Sequence, residues 1–370
     1  MSRLFKDIFC LSFYKSFCNE FSLLSPSFDA QLFIDKIFVK EFKFFELKER
    51  ISHTAMVFSE FMPKDFLEAS EKLIEFVEHL TSLGVKRDSI AYLFLSDYIW
   101  MYGIDDLTSS IKAIEVVTQF VTCEFTVRPF ILKYPDEMMK QMLTWSTHDS
   151  EHVRRLSSEG SRPRLPWAMA LPLFKKDPSP LFSILENLKN DSSEYVRRSV
   201  ANNLNDISKD HPDVLISFVE KWKGISNETD WLLKHASRTL LKKGDSTVLA
   251  LFGLDPSGLT VSSFGVDTPV VKIGECMSFS FILKNDVNGT KRVRLEYAIY
   301  FMLKNGKQSK KVFKISEKDI GKGYCEWVVR AHSFRLITTR TYYPGEHKCS
   351  VIVNGKESLA CPFDVVSVER

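Results

Sequence analysis

The sequence predicts a chain of two parts, an α-helical repeat solenoid followed by an antiparallel β-sandwich. Three observations carry this. Up to about residue 250, apolar residues recur at spacings of three and four. Within that region a motif comes back after roughly 40 residues, a period typical of helical repeats. Beyond Gly253 the apolar residues alternate, or run in short β-branched and aromatic stretches. A chain of 370 residues suits two or three domains, each with a sizeable core.

The helical period is clear in Phe66, Leu73, Ile74, Phe76, Val77 and Leu80, and again in Ile111, Ile114, Val117, Phe120 and Val121. Breaks at Pro26, Pro63, Gly84, Gly103, Pro135, Gly160, Pro178, Pro212, Gly224 and Gly244 divide the region into short antiparallel helices. Asp149 to Arg155 reads DSEHVRR and Asp191 to Arg198 reads DSSEYVRR, which places Val153 and Val196 43 residues apart. A weaker third copy runs from Trp231 to Leu240, with Leu232, Ala236 and Leu240 in the places of Val196, Val200 and Leu204. Two helices per period, with Asp or Ser opening the second, is the pattern of HEAT repeats, whose concave wall is the expected ligand surface. The helical domain is expected over residues 1–254, with Leu254 to Gly258 as the linker.

Residues 259–370 are expected to form an immunoglobulin-like sandwich. Strands are predicted over Met277–Leu283, Val293–Met302, Cys325–Val329, Leu336–Tyr342, Cys349–Val353 and Phe363–Val368. Asn305-Gly306 and Asn354-Gly355 read as type I′ hairpin turns, in which both central residues take positive φ.

Charge is segregated along the chain. The net charge of +3 divides into -6 for residues 1–149, +3 for 150–250 and +7 for 260–370, with Asp255 completing the balance. A polyanion suits the middle and C-terminal parts, as does an ordinary solvated basic face. No apolar run reaches the roughly 20 residues that span a bilayer, and no secretory signal is recognisable. Seven cysteines, with no CxxC pair and no His at ligand spacing, point to a reducing cytoplasm without structural metal.

The candidate site residues lie in the repeats. On a helix from about Glu194 to Ser208, Val196, Val200, Leu204 and Ile207 are expected to face the core. Arg198, Asn202, Asn205, Asp206 and Lys209 are then expected on the opposite side, with Arg198, Asn202 and Asp206 as successive i, i+4 neighbours. Arg155 and Glu159 repeat the relation one copy earlier. The spacing suits a wall of paired carboxylates, and equally intrahelical ion pairs that support the repeats. Ser158 to Trp167 (SEGSRPRLPW) joins Arg162, Arg164, two prolines and Trp167 in one constrained loop. Its guanidinium groups suit phosphates and its indole a stacked or cationic base, whereas a core role would make Trp167 the start of a helix carrying Ala170, Leu171 and Phe174. Lys234, Arg238 and Lys242 form a basic stripe at i, i+4, i+8 that fits a phosphate backbone or a solvated face. Lys304 and Lys307 flank the first Asn-Gly turn in a lysine-rich stretch, suiting either DNA or a sheet edge protected from pairing.

Four segments, EFTVRPF (124–130), HVRRLSSEGSRPRLPW (152–167), YVRRSVANNLNDISKDHP (195–212) and HASRTLLKKG (235–244), resemble the AlkC type of HEAT-like-repeat DNA alkylation-repair glycosylases. The resemblance covers most of residues 1–255, and some members carry a C-terminal immunoglobulin-like domain. It implies a monofunctional, cofactor-free and metal-free glycosylase. Such an enzyme removes N3-alkylated bases such as 3-methyladenine and 3-methylcytosine from double-stranded DNA, here as a monomer. By the same resemblance Glu124, Glu159 and Asp206 are the acids and Trp167 the aromatic group at the lesion. Arg155, Arg162, Arg164, Arg198, Lys234, Arg238, Lys242, Lys304 and Lys307 are the proposed DNA contacts. The family is further expected to work from an open wall rather than a deep base pocket. Two other functions fit the repeats: a non-catalytic protein that binds damaged or branched DNA, which would lack one of the acids, and a protein-binding scaffold, which would present an apolar wall.

Overall fold

A computed structural model describes residues 4–87, 89–337 and 340–367. Two compact units emerge: Met1–Leu215 with Lys221–Ala236, and Ile216–Glu220 with Ser237–Arg370.

The first unit is helical, and its beginning is dominated by aromatic packing. Phe17, Phe21, Phe33, Phe58, Phe76 and Phe94 are all fully buried. Phe17 stacks on Phe21 at 5.7 Å and meets Phe76 edge-on at 5.3 Å, the offset and T-shaped geometries that aromatic quadrupoles favour. Helix starts follow the sequence: Asp65 caps Phe66–Ser82 by accepting from the Glu68 amide at 3.1 Å, and Asp106 caps Leu107–Val117 through Ser109. Pro135 and Pro212 open helices at positions where no amide donor is needed.

The predicted repeat is a physical repeat. Helix Glu151–Glu159 packs on Glu194–Ile207, which packs in turn on Asn227–Ala236. Val153, Leu156, Val196, Val200, Leu204, Leu232 and Ala236 are fully buried, as their spacing requires. The chain thus combines a helical repeat region with a C-terminal sheet domain.

In the second unit, short helices Arg238–Lys243 and Ser246–Leu251 precede nine strands among the described residues. These are β1 (Leu259–Val266), β2 (Val270–Lys272), β3 (Cys276–Asn285), β4 (Lys291–Met302), β5 (Gln308–Ile320), β6 (Cys325–Ser333), β7 (Gly345–Val353), β8 (Lys356–Glu357) and β9 (Cys361–Val366). One sheet has the order β1-β3-β6 and the other β2-β9-β7-β4-β5, with β8 paired to β7. Their inner faces enclose Phe279, Phe281, Leu283, Leu295, Ile299 and Val351. Residues 254–258, expected as a linker, are tied to the strands: Asp255 pairs with Lys291 at 2.6 Å, and its carbonyl accepts from Asn354 Nδ2 at 3.0 Å.

Two expectations for this region change. Leu336–Tyr342 forms no strand among the described residues, where a single bridge joins Ile337 to Arg340; Thr338 and Thr339 lie outside them, as does Val368 of the last predicted strand. Asn354 and Gly355 have φ of 46° and 79° and make the expected type I′ turn between Val353 and Lys356. At Asn305-Gly306 only Gly306 is left-handed, at 75°, and the Gly306 amide donates to the Leu303 carbonyl. The longer loop between Met302 and Gln308 relieves Asn305 of the positive φ that a two-residue turn would impose. Lys310 and Lys314 lie on β5, at the edge of the larger sheet, and pair with Glu357 and Glu317.

Candidate active site

Glu124, Glu159 and Asp206 come from three successive parts of the first unit and converge through arginines. Glu124 lies just before helix Val127–Lys133 and accepts from the Thr122 hydroxyl at 2.6 Å. Arg155 pairs with Glu124 and reaches Glu159 at 3.7 Å. Arg162 bridges the other two acids, at 2.6 Å from Glu159 and 2.8 Å from Asp206. Lys209 takes the remaining Asp206 oxygen at 2.7 Å. Three carboxylates and three cations form one charge-balanced chain.

This arrangement departs from the expected helix faces. Asp206 is only 1% exposed, and Asn203 and Asn205 beside it are buried too, so this side of the helix faces protein and not solvent. Arg198 is exposed and pairs with Glu194, one turn before it, instead of joining Asn202 and Asp206. Burial decides the difference, because a buried carboxylate needs a buried partner and the loop supplies Arg162.

Burial works against the charges of Arg155 and Arg162, but the facing carboxylates more than offset it and hold both pKa values above the ordinary arginine value. The structure therefore puts Arg155 and Arg162 among the acids rather than on an outward phosphate-binding face. Arg164 makes a forked pair with Asp210. Lys234 belongs to the helix Asn227–Ala236 of the first unit, whereas Arg238 and Lys242 belong to a separate helix in the second, so the predicted stripe is divided. Lys242, Lys304 and Lys307 are exposed.

The 160–169 loop starts from a close approach. A Cβ on Gly160 would lie 2.4 Å from Val127 Cγ2, so only glycine fits. Trp167 starts no helix; it is 67% exposed, with a φ of 65°. The helix that follows, Pro172–Lys176, begins five residues later.

A cleft of about 550 Å³ opens beside the acids, where an open wall was expected. Glu124, Glu159, Arg162 and Trp167 line it, whereas Asp206 stands behind Arg162. Its other wall comes from helices Leu47–Ser59 and Leu93–Gly103, which contribute Lys48, Ser52, Asp97 and Trp100. Burial raises the Asp97 pKa above the usual carboxylate value despite hydrogen bonds from Trp100 and Ser52. These four wall residues were absent from the sequence-based site. Asp97 and Trp100 stand three apart on one helix, but nothing local marks that face as a cleft. Among the described residues no cluster of His, Cys, Asp and Glu could hold a metal ion, and no helix is long and apolar enough to cross a membrane.

Comparison with known proteins follows the same division of the chain. The family described as "DNA alkylation repair enzyme" matches residues 105–240, and the C-terminal Ig-like domain of the uncharacterised protein YhaZ matches residues 260–367. The Bacillus subtilis protein named "Uncharacterized protein YhaZ" is 43% identical over 92% of this chain and 93% of its own length. The Pseudomonas fluorescens alkylpurine DNA glycosylase AlkC, solved bound to DNA containing an abasic-site analogue, is 33% identical. That match covers 98% of this chain and all of that one, with a TM-score of 0.92. The cleft wall at Leu47–Ser59 and Leu93–Gly103 falls before the repair-family match, yet inside the span shared with that structure.

Proposed function

This chain belongs to the AlkC type of DNA alkylation-repair enzymes, and from that premise we propose that it is a monofunctional DNA glycosylase for N3-alkylated, cationic bases such as 3-methyladenine and 3-methylcytosine. The observation that carries the reading is the set Glu124, Glu159 and Asp206, linked by Arg155 and Arg162 at a cleft that Trp167 also lines.

The chemistry suits these groups. An N3-alkylated base is positively charged on its sugar, so it departs with the electron pair of the C1′–N bond as a neutral molecule and needs no strong general acid. The sugar then carries oxocarbenium character, which a nearby carboxylate stabilises. Water adds at C1′ and gives its proton to a carboxylate or to solvent, leaving an abasic site in an intact strand. In this reading Glu124 and Glu159, which line the cleft, serve the sugar and the water. Asp206 acts with them through Arg162, and the Trp167 indole attracts the cationic base. Arg164, Arg198, Lys234, Arg238, Lys242, Lys304 and Lys307 are the proposed phosphate contacts on duplex DNA, with the protein acting as a cytoplasmic monomer.

The test is incubation of the full chain with methylated duplex DNA, followed by chromatography of released bases and electrophoresis of the strand. Free 3-methyladenine and 3-methylcytosine with unbroken strands are expected. Absence of any free methylated base would remove the enzyme reading, and strand cleavage would remove the monofunctional one.

A further inference from the structure

We infer that Arg128 and Lys48 are positioning residues that hold Trp167 and Arg162 in place at the cleft. The inference rests on the role proposed above for Trp167.

Arg128 is entirely buried, yet its guanidinium pairs directly with no carboxylate among the described residues. It donates instead to main-chain carbonyls at both ends of one loop: from Nε to Met169 at 2.7 Å, and from Nη1 to Gly160 at 2.9 Å and Arg162 at 2.8 Å. A planar fork with five donors can hold two strands of backbone at once, which a lysine cannot. Burial, with the neighbouring Arg162 charge, pushes the Arg128 pKa down to about 10, which leaves it charged at neutral pH.

Between those anchors Trp167 has a φ of 65°, a region that a bulky L-residue keeps only where its surroundings impose it. Lys48, exposed on helix Leu47–Ser59, donates from Nζ to the Trp167 carbonyl at that strained residue. The anchored carbonyls therefore include those of Arg162 and Trp167, two of the loop residues that line the cleft. The core helices of the repeat are not what these donors hold.

The experiment compares R128K and K48M in the full chain. It measures single-turnover base release, duplex affinity and acrylamide quenching of Trp167. The chain has six tryptophans, so Trp167 is read as the difference between each protein and its W167F counterpart. A displacement of about 1 Å can cost about 100-fold in rate, so R128K is expected to slow release about 10- to 100-fold and the single-bond loss in K48M about three- to tenfold. Affinity stays within about twofold, Trp167 quenching rises in the same order, and K48R recovers both properties. Unchanged release in both variants, or slow release with unchanged quenching, overturns the inference. If R128K does not fold, K48M decides alone, because an exposed lysine leaves the core intact. A W167F protein that releases base at the full rate would remove the indole's proposed role, whereas quenching, read without DNA, still tests the anchors.

Discussion

Val153-Arg154-Arg155 and Val196-Arg197-Arg198 are the same triplet in the same place on successive repeats, and their arginines meet different fates. The first arginine of each does the same work. Arg154 donates to the carbonyls of His148 and Asp149, six and five residues before it, and Arg197 donates to those of Asp191 and Ser192 at the same offsets. The second arginines diverge. Arg155 has a side chain 14% exposed and joins Glu124 and Glu159, with Tyr195 5.0 Å from its guanidinium. Arg198 is 63% exposed, pairs with Glu194 and lies 5.8 Å from the Trp231 ring. Position in the repeat sets the scaffold role, and the neighbouring elements set the chemical one.

Breaking the second arginines separates the copies most strongly. Arg155→Ala leaves the low-exposure Glu124 without its cation while Glu159 keeps Arg162, and losing one partner of a buried pair costs about 3–5 kcal/mol, so a large drop in the denaturant midpoint is expected. A stability like that of the unmodified protein would show that Glu124 does not depend on it. Asp206→Asn asks whether the turn that follows Asn202 in the second copy contributes chemistry. Base release is expected to slow about 10²- to 10³-fold while DNA affinity holds or rises, since a negative charge near phosphate is lost. Single-turnover excision beside a binding titration measures both, and an unaltered rate would take Asp206 out of the reaction.

Arg154→Ala and Arg197→Ala probe the shared role. Each strands carbonyls that a buried or half-buried guanidinium now satisfies, for a loss of about 1–3 kcal/mol in urea titrations with excision at saturating protein unchanged. Arg154 has the larger share because it also grips Asp191, which opens the next copy. Equal excision defects in both variants would erase the distinction between first and second arginines. The smallest effect belongs to Arg198→Ala, whose exposed pair is worth about 0.2–1 kcal/mol at most. Its expected signature is a reduction of about one unit in the salt dependence of DNA binding. An unchanged slope would keep Arg198 away from phosphate.

The sequence carries the repeat because its core positions recur at a fixed spacing, and it carries the sandwich because β3, β4, β6 and β7 are continuous apolar or alternating runs. β5 is not legible in the sequence, because QSKKVFKISEKDI shows mainly its solvated edge side. Glu124, Glu159, Asp206 and Trp167, the residues of the proposed site, stand in recognisable motifs. The pairing of the acids is not legible there, because Arg162 reaches Asp206 across 44 residues of chain. Arg128 is harder still to read. It stands in the recognised EFTVRPF segment, but its partners are carbonyls 32 to 41 residues away, and main-chain carbonyls leave no mark in residue identity.

The two Asn-Gly turns of the sandwich have different prospects as the protein ages. Deamidation begins when the glycine nitrogen attacks the asparagine side-chain carbon, expelling ammonia through a cyclic imide. Asn354 is 1% exposed, and its amide is fastened by bonds to the Asp255 and Arg292 carbonyls and from the Arg294 amide. Asn305 is exposed and accepts only from the Lys307 amide, at 3.1 Å, among the described residues. Peptide mapping by mass spectrometry after storage at alkaline pH should find the added mass at residue 305 and not at 354. Each converted molecule then carries a new carboxylate between Lys304 and Lys307, so that old protein and fresh protein differ in charge where this hairpin is most basic.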